Sequence, residues 1–333
     1  MTAQRPLEPT PVGALRFNTD TALLEYFNGN EYVNITTTSP ERHTGGTRGV
    51  WGGGQVPGPS EVNTIDYQNI DSTGNLIDFG DLTAARRSIA SNSSRTRGIW
   101  ACGSNSKTTI DFVTIASTGN ATSFGTAAVS RDDPDACASE TRMCIGGGYS
   151  TVIDIEYITI ASTGNGIDFG DLTVGRTVGG ACGSATRGMW TGGTTAPANK
   201  DEIDYVTIST LGNAADFGNL TVARSGSTSG SNSIRGLTAG GTSPSNDNTI
   251  DFFTIATLGN AVDFGDMTQQ AQHRGCAASP QRVVFGGGYL SSGMTNSMDY
   301  VQIMTEGNAV DFGDLTQTRT QPEACSNGHG GLG

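Results

Sequence analysis

Charge is scarce in this sequence. Asp, Glu, Lys and Arg make up 15% of the 333 residues, against about 25% in an ordinary soluble domain. The charge present leans acidic, with 32 Asp+Glu against 19 Lys+Arg and a net charge of −13. Such a surface repels phosphate, so nucleic acid is not an expected partner. No apolar run approaches the ~18 residues of a membrane-spanning helix, and membrane insertion is not expected. Residues 1–6 carry no apolar core, so no secretory signal is expected. The three histidines, His43, His273 and His329, are scattered. That leaves too few for a His-based metal centre or a catalytic triad. The six cysteines show no CxxC spacing, and without an export signal free thiols are expected rather than a disulfide frame. Proline is also sparse, at 11 residues against 48 glycines, so the glycine excess is neither collagen-like nor a polyproline linker.

Glycine and small polar residues fill the space, which points to an all-β chain with many tight turns. The 35% hydrophobic share would also suit disorder. An internal repeat decides between the two. A Gly-Asn pair recurs at Gly74, Gly119, Gly164, Gly212, Gly259 and Gly307, with spacings of 45, 45, 48, 47 and 48. Each is followed by an Asp-Phe-Gly-like triplet whose aromatic is Phe79, Phe124, Phe169, Phe217, Phe264 or Phe312. Eighteen residues after the first five of these stands an arginine: Arg97, Arg142, Arg187, Arg235 and Arg282. Arg48 is the unmatched first member of that series.

Four segments follow from this register. A short Cys-containing segment (A), as at Ala136-Cys137-Ala138, precedes an Arg-opened apolar segment closing on glycines (B). Next come an Ile-Asp-Tyr segment (C), as at Ile203–Ile208, and the Asp-Phe-Gly-Asp-Leu segment (D). β-Branched and aromatic content favours strands. Gly-Asn between C and D reads as a tight turn, because both residues tolerate positive φ. Four short strands, six times over, bury their faces only by packing against neighbouring copies, which predicts a six-bladed propeller. The first unit has no obvious A strand, and Glu323-Ala324-Cys325-Ser326 is an A strand with no B after it. The C-terminal strand is therefore expected to complete the first blade and leave no open edge.

Length variation is confined to one place. The B–C loops are 10, 6, 6, 9, 8 and 9 residues long, and subtracting the first five from the Arg-to-Arg spacings leaves 39 each time. Because strands alternate in direction, the B–C and D–A loops share one face. Variable loops on a fixed scaffold are where recognition tends to reside, although neutral drift also varies exposed loops. The candidate binding residues on that face are Glu61, Asn199, Lys200, Asp201, Asn246, Asp247 and Tyr289.

Other tempting residues read as structural. Five Asp-bearing Asp-Phe-Gly copies in a β-rich context are not a kinase triplet. The acid pairs Asp168/Asp171 and Asp263/Asp266 have oxygen for Ca²⁺. They are expected instead to cap turns or pair with the recurring Arg86, Arg176, Arg224 and Arg319. Cys137, Cys182, Cys276 and Cys325 are expected as buried small hydrophobes, and Trp51, Trp100 and Trp190 as core. No metal, no cofactor and no catalytic residue is expected.

The paired glycines after an apolar strand, followed by an aromatic-bearing strand, resemble the kelch repeat over residues 48–327. Residues 1–46 match no repeat. Alternation and Asn28-Gly29 predict a small β-hairpin there, giving two domains, 1–46 and 47–333. Gly13-Ala14-Leu15-Arg16-Phe17-Asn18-Thr19 followed by Leu24-Glu25-Tyr26-Phe27-Asn28-Gly29 resembles an N-terminal attachment module of bacteriophage tail-fibre and other virion proteins. The Asp-Phe-Gly-Asp-Leu-Thr-x-x-Arg units resemble those of marine phage structural proteins. These resemblances imply a phage virion structural protein assembled in the host cytoplasm. The leading role they imply is a tail fibre or tail-associated protein, held to other virion proteins through residues 1–46 and presenting a propeller to a host-surface glycan. A homo-oligomer is compatible with that role. The alternatives are a capsid-decorating or fibre protein without a receptor, and a glycan-active enzyme on a propeller. The enzyme alternative lacks the repeated histidines in the variable loops that it would want.

Overall fold

In the computed structural model the described residues are 11–18, 23–34, 47–58, 60–105, 107–149, 152–177 and 179–332. The chain divides into two compact units, Met1–Thr44 and Gly45–Gly333.

The first unit holds a three-stranded antiparallel sheet of Leu15–Asn18, Leu23–Phe27 and Tyr32–Asn34. The expected hairpin is its second and third strands, and Asn28 Oδ1 shapes the turn by accepting the N–H groups of Asn30 and Glu31. Alternation sorts the side chains onto two faces. One face carries Arg16 and Glu25, paired at 2.5 Å, with the Arg16 guanidinium 3.7 Å from the centre of the Tyr32 ring. The other carries Leu15 opposite Tyr26 and Phe17 opposite Leu24, all four exposed. The predicted Ile35 end of the hairpin lies outside the described residues.

The second unit is six four-stranded antiparallel sheets among the described residues. Sheets two to six each take four consecutive segments in the order A-B-C-D, for example Asp135–Ala138, Arg142–Gly146, Asp154–Thr159 and Ile167–Asp171. Sheet one is assembled from both ends of the unit. Glu323–Ser326 pairs with Arg48–Gly52, which pairs with Thr64–Asn69 and then Ile77–Asp81. The sequence-based closure of the first sheet is thus present, with Cys325 opposite Val50.

Strand B is buried on both faces, so it reads as a continuous apolar run rather than an alternating one. Trp51, Trp100 and Trp190 lie in it with at most 1% of their surface exposed. In each C–D pair the register slips by one residue at a β-bulge. The bulge lets the Phe pack edge-on against the aromatic of strand C, as Phe79 does on Tyr67 with ring centroids 5.8 Å apart. In five of the six sheets the glycine that follows takes a left-handed φ, +147° at Gly80. A Cβ there would stand 2.5 Å from the carbonyl oxygen of Gly119 in the next sheet, so glycine is required both by φ and by the approach of that backbone.

Three sets of polar bonds join each sheet to the next, and each set returns from the sixth sheet to the first. In the first set, a buried arginine after strand D pairs with the strand C carboxylate of the following sheet. The pairs are Arg86–Asp111, Arg131–Glu156, Arg176–Asp204, Arg224–Asp251, Arg274–Asp299 and Arg319–Asp66, at 2.7–3.1 Å. In the second, the arginine opening strand B lies over the strand C aromatic of its own sheet and donates to an Ile carbonyl of the next. Arg48 does so to Ile115 at 2.8 Å, and Arg282 returns to Ile70 at 3.2 Å. In the third, the Gly-Asn segment adds itself to the edge of the preceding D strand. Gly119 N–H donates to Phe79 C=O at 2.8 Å, and Asn120 Oδ1 accepts from Asp81 N–H at 3.1 Å. Gly74 and Asn75 make the same bonds to Phe312 and Asp314. Each A strand touches the A strands of the two neighbouring sheets, again including the sixth with the first.

Two expectations need correcting. The arginines Arg86, Arg176, Arg224 and Arg319 do not pair with the Asp-Phe-Gly acids. Their partner is the buried Asp of Ile-Asp-Tyr one sheet on, while the first Asp of strand D points to solvent. Gly-Asn is also more than a turn within its own hairpin, because it caps the outer edge of the neighbouring sheet, where strands would otherwise stand unpaired.

All six cysteines are free and buried. Burial pushes the Cys102, Cys182 and Cys325 thiols up to about 12, so thiolate is scarce at neutral pH. A thiol reagent is expected to label native protein over hours, and to titrate six thiols at once in denaturant. Rapid labelling of two or more in the native state would show that these sites are open.

Candidate functional site

The variable face is built from the B–C loops, three of which are elaborated into two-residue hairpins: Gln55–Val56 with Ser60–Glu61, Thr194–Thr195 with Ala198–Asn199, and Tyr289–Leu290 with Gly293–Met294. The candidate residues do not converge on one pocket. Glu61 accepts from Ser104 Oγ and lies 3.5 Å from Lys107 Nζ and 3.8 Å from Arg87. It therefore ties the first loop to the second. On another arc, Asn199 Nδ2 donates to Thr242 C=O at 2.7 Å and Asn246 Nδ2 to Tyr289 C=O at 3.0 Å. These bonds link the fourth loop to the fifth and the fifth to the sixth. Lys200 pairs with Glu202 at 3.5 Å, and the Asp201 carbonyl accepts from Leu220 N–H. Asp247 Oδ1 accepts from Thr249, and its Oδ2 stands 3.9 Å from Arg224. The Tyr289 ring stays exposed, and so does Tyr149 on the third loop, which the sequence reading did not single out. The loops form a polar girdle whose amides are largely spent on one another, leaving aromatic and charged tips outward.

A second cluster lies inside the girdle, where the D–A connections meet the A strands. In five of the D–A connections the backbone turns left-handed, at Ser88 (φ 54°), Asp133 (53°), Gly226 (65°), His273 (56°) and Gln321 (52°). Non-glycine residues in this region are uncommon, and they gather where surrounding structure over-determines them. Here successive backbone bonds run from one connection to the next. Asp133 N–H donates to Ser88 C=O, His273 N–H to Gly226 C=O, and Gln321 N–H to His273 C=O, at 2.8–3.2 Å. Gln321 Nε2 then donates to Ser88 Oγ at 2.9 Å and to Asp133 Oδ1 at 3.0 Å.

Below this lid is a cavity of about 50 Å³ lined by the A strands of all six sheets. Asp135 and Glu323, the first residues of two A strands, open into it together with Ser227. The same three residues line a second recess of about 30 Å³ under His273 and Gln321. Burial pushes the Asp135 carboxyl up to about 7. The Asp133 charge adds to that, against the Gly179 N–H and Arg176. Burial, then Asp135 and Asp133, raise Glu323 well above the usual carboxylate range. Burial and Arg87 hold His273 down at about 4, so its imidazole is neutral at pH 7. The far end of the A strands is crossed by residues 327–332, where His329 Nε2 lies 2.8 Å from Ser93 C=O. A Cβ at Gly331 would collide with Ala138 C=O.

The signal for this cluster is present in the repeat but faint. At the first A position the other sheets carry Ala90, Gly180, Thr228 and Gly275, and only two carry acids. Among the described residues no group of His, Cys, Asp and Glu is arranged to hold a metal ion, and the Asp168 and Asp263 side chains do not make one. No protein-family model matches the chain, and no curated protein matches it.

Proposed function

We propose that the six sheets are the blades of a six-bladed kelch-like propeller closed by its C-terminal strand, and that the chain is a bacteriophage virion structural protein. In this reading it is a tail fibre or tail-associated protein. Its first unit docks on other virion proteins, and its polar loop girdle faces a host-surface glycan. The three bond sets that return from the sixth sheet to the first support the propeller, because only a cyclic arrangement gives every sheet two neighbours. The observation that carries the functional reading is the first unit. Leu15, Phe17, Leu24 and Tyr26 form an exposed apolar face on a three-stranded sheet. A contiguous exposed apolar face of this kind marks a site of protein–protein contact. The polar face is neutralised internally by Arg16 and Glu25, so the apolar face is the one left for a partner. Burying Leu15, Phe17 and Leu24 is worth roughly 1.5–3 kcal/mol each. Contacts from Tyr289, Lys200 and neighbouring loop residues to a glycan are individually weak and gain from several copies per particle.

The test mixes full-length protein with particles lacking it and reads occupancy, with a labelled antibody in negative stain to place it. The full-length Phe17→Asp/Leu24→Asp variant is expected to lose at least tenfold in occupancy while its main melting transition is unchanged. Normal occupancy of that variant would reject the attachment role. Label found only over the capsid shell would reject the tail assignment.

A further inference from the structure

The geometry points to a binding site for a primary ammonium group in the axial chamber, held by Asp135, Glu323 and the Ser227 hydroxyl. Three observations carry it. First, the three side chains come from the third, first and fifth sheets, yet all line both the 50 Å³ cavity and the 30 Å³ recess, so they meet where the two join. Second, Ser227 is only 6% exposed and its hydroxyl has no hydrogen-bond partner among the described residues. A hydroxyl buried without a partner is costly, and this one keeps lone pairs free to accept from a donor in the cavity. Third, among the described residues neither carboxylate has an ion-pair partner, although Arg274 lines the recess beside them. The nearby arginines are engaged elsewhere: Arg176 with Asp204, Arg274 with Asp299, and Arg87 with Gln55 and Gln321.

The match to ammonium is one of number and size. An –NH₃⁺ group carries three donors and no acceptor, and three acceptors from three sheets converge here. A divalent cation wants six or more oxygens, waters included, and among the described residues no group of His, Cys, Asp and Glu is arranged to hold one. About 50 Å³ accommodates an ammonium with one or two carbons or a few waters, and not a bulky quaternary amine. The remaining titratable groups that line the two spaces are Asp133, neutral His273, His329, Arg274, which pairs with Asp299, and Cys182, Cys276 and Cys325; Gln321 bonds Ser88 and Asp133 through its amide N–H groups. The ammonium can belong to a small free amine or to the side chain of a lysine on a partner. The chemistry is the same and the experiment separates them.

Full-length protein in amine-free phosphate buffer at pH 8 is titrated with methylammonium chloride by calorimetry and by thermal melting. Tetramethylammonium chloride serves as the matched salt. Methylammonium is expected to bind saturably and raise the melting midpoint, and tetramethylammonium to do neither. Glu323→Gln and Ser227→Ala are each expected to weaken binding at least tenfold while keeping a cooperative transition. Lowering the pH to 5, where the carboxyls take up protons, is expected to abolish it. A Gly-Lys-Gly peptide that binds more tightly than methylammonium assigns the site to a partner's lysine, and one that fails while methylammonium binds assigns it to a free amine. Equal midpoint shifts from both salts, or methylammonium binding undiminished in Glu323→Gln and Ser227→Ala, would overturn the site.

Discussion

Asp66→Ala is expected to cost roughly 3–5 kcal/mol of unfolding free energy, the usual penalty for removing one partner of a buried ion pair. The Arg319 guanidinium would stay in place with only carbonyl acceptors, those of Gly53, Thr64 and Trp51 at 3.1–3.4 Å. Both side chains are fully buried, and they lie 253 residues apart in sequence at 2.7 Å. Burial pulls the Arg319 guanidinium down and pushes the Asp66 carboxyl up, with their mutual attraction opposing both shifts. The pair therefore spends much of its attraction offsetting its own desolvation. For that reason the double variant Asp66→Leu/Arg319→Met is expected to recover most of the loss, as apolar replacements of buried pairs often do. The same cycle at Asp204 and Arg176, a pair internal to the chain, is expected to give similar values, because the contact is equivalent. Chemical denaturation of the four single and two double variants measures this. A single-variant cost below about 1 kcal/mol would mean the pairs are incidental to how the sheets are joined. Their use would then be register alone, since each of the six arginines has one strand C carboxylate within 3.1 Å.

The way these pairs were misread shows what a repeat sequence exposes and what it hides. The period, the strand content and the missing first A strand could be read because they recur within one unit: Gly-Asn, Phe, and Arg eighteen residues later. The partner of each buried arginine lies in the next unit, and nothing inside a unit says which of its several acids faces the neighbour. One local clue does exist. The third sheet carries Glu156 where the others carry Asp and Gly166 where they carry Ala or Leu, and the D strand of the second sheet, beside it, carries Ala128 where the other sheets carry Thr. Thr83, Thr173, Thr221, Thr268 and Thr316 each donate to that Asp through Oγ1. Ala128 of the second sheet donates only its N–H, to Glu156, and a Cβ at Gly166 would run into the Glu156 carboxylate. One longer acid has taken the room of a lost hydroxyl and a lost methyl. Three departures, two in one repeat and one in the repeat before it, thus name a single packed site. The sixth sheet was harder still. Ala271 holds the arginine slot, and the guanidinium comes from Arg274, three residues on. The cluster at the start of the A strands was hidden for a different reason. It depends on left-handed backbone at Asp133, His273 and Gln321, and on acids in two of six equivalent positions. A pattern defined by what recurs passes over both.

Truncation after Arg319 is expected to abolish cooperative melting of the second unit. Residues 323–326 are the inner strand of the first sheet, and their removal leaves Arg48–Gly52 with one bare edge. The damage reaches the second sheet as well. Trp100 Nε1 loses Glu323 C=O at 3.1 Å, and Ser91 Oγ and Ser93 Oγ lose the carbonyls of Ala324 and Ser326 at 2.8 and 2.6 Å. Three donors would be left in a largely buried site, each worth roughly 1–3 kcal/mol when unsatisfied, alongside the loss of the Cys325 and Ala324 packing on Val50 and Trp51. Few domains have reserves above about 15 kcal/mol to absorb that, and an exposed apolar strand edge invites pairing between molecules. Aggregation on mild heating is the expected result. Because the strand is held without a covalent link to its neighbours in the sheet, a synthetic peptide of residues 320–333 added in trans is expected to restore part of the transition. A second truncation, after Gly328, separates the strand from the segment that crosses the far end of the chamber. It keeps all four strand residues and gives up the His329 contact with Ser93. It is expected to lower the midpoint by a few degrees and leave the transition cooperative. An unchanged melting curve after removal of residues 320–333 would show that the first sheet stands without its fourth strand, and the cyclic arrangement would have to be given up.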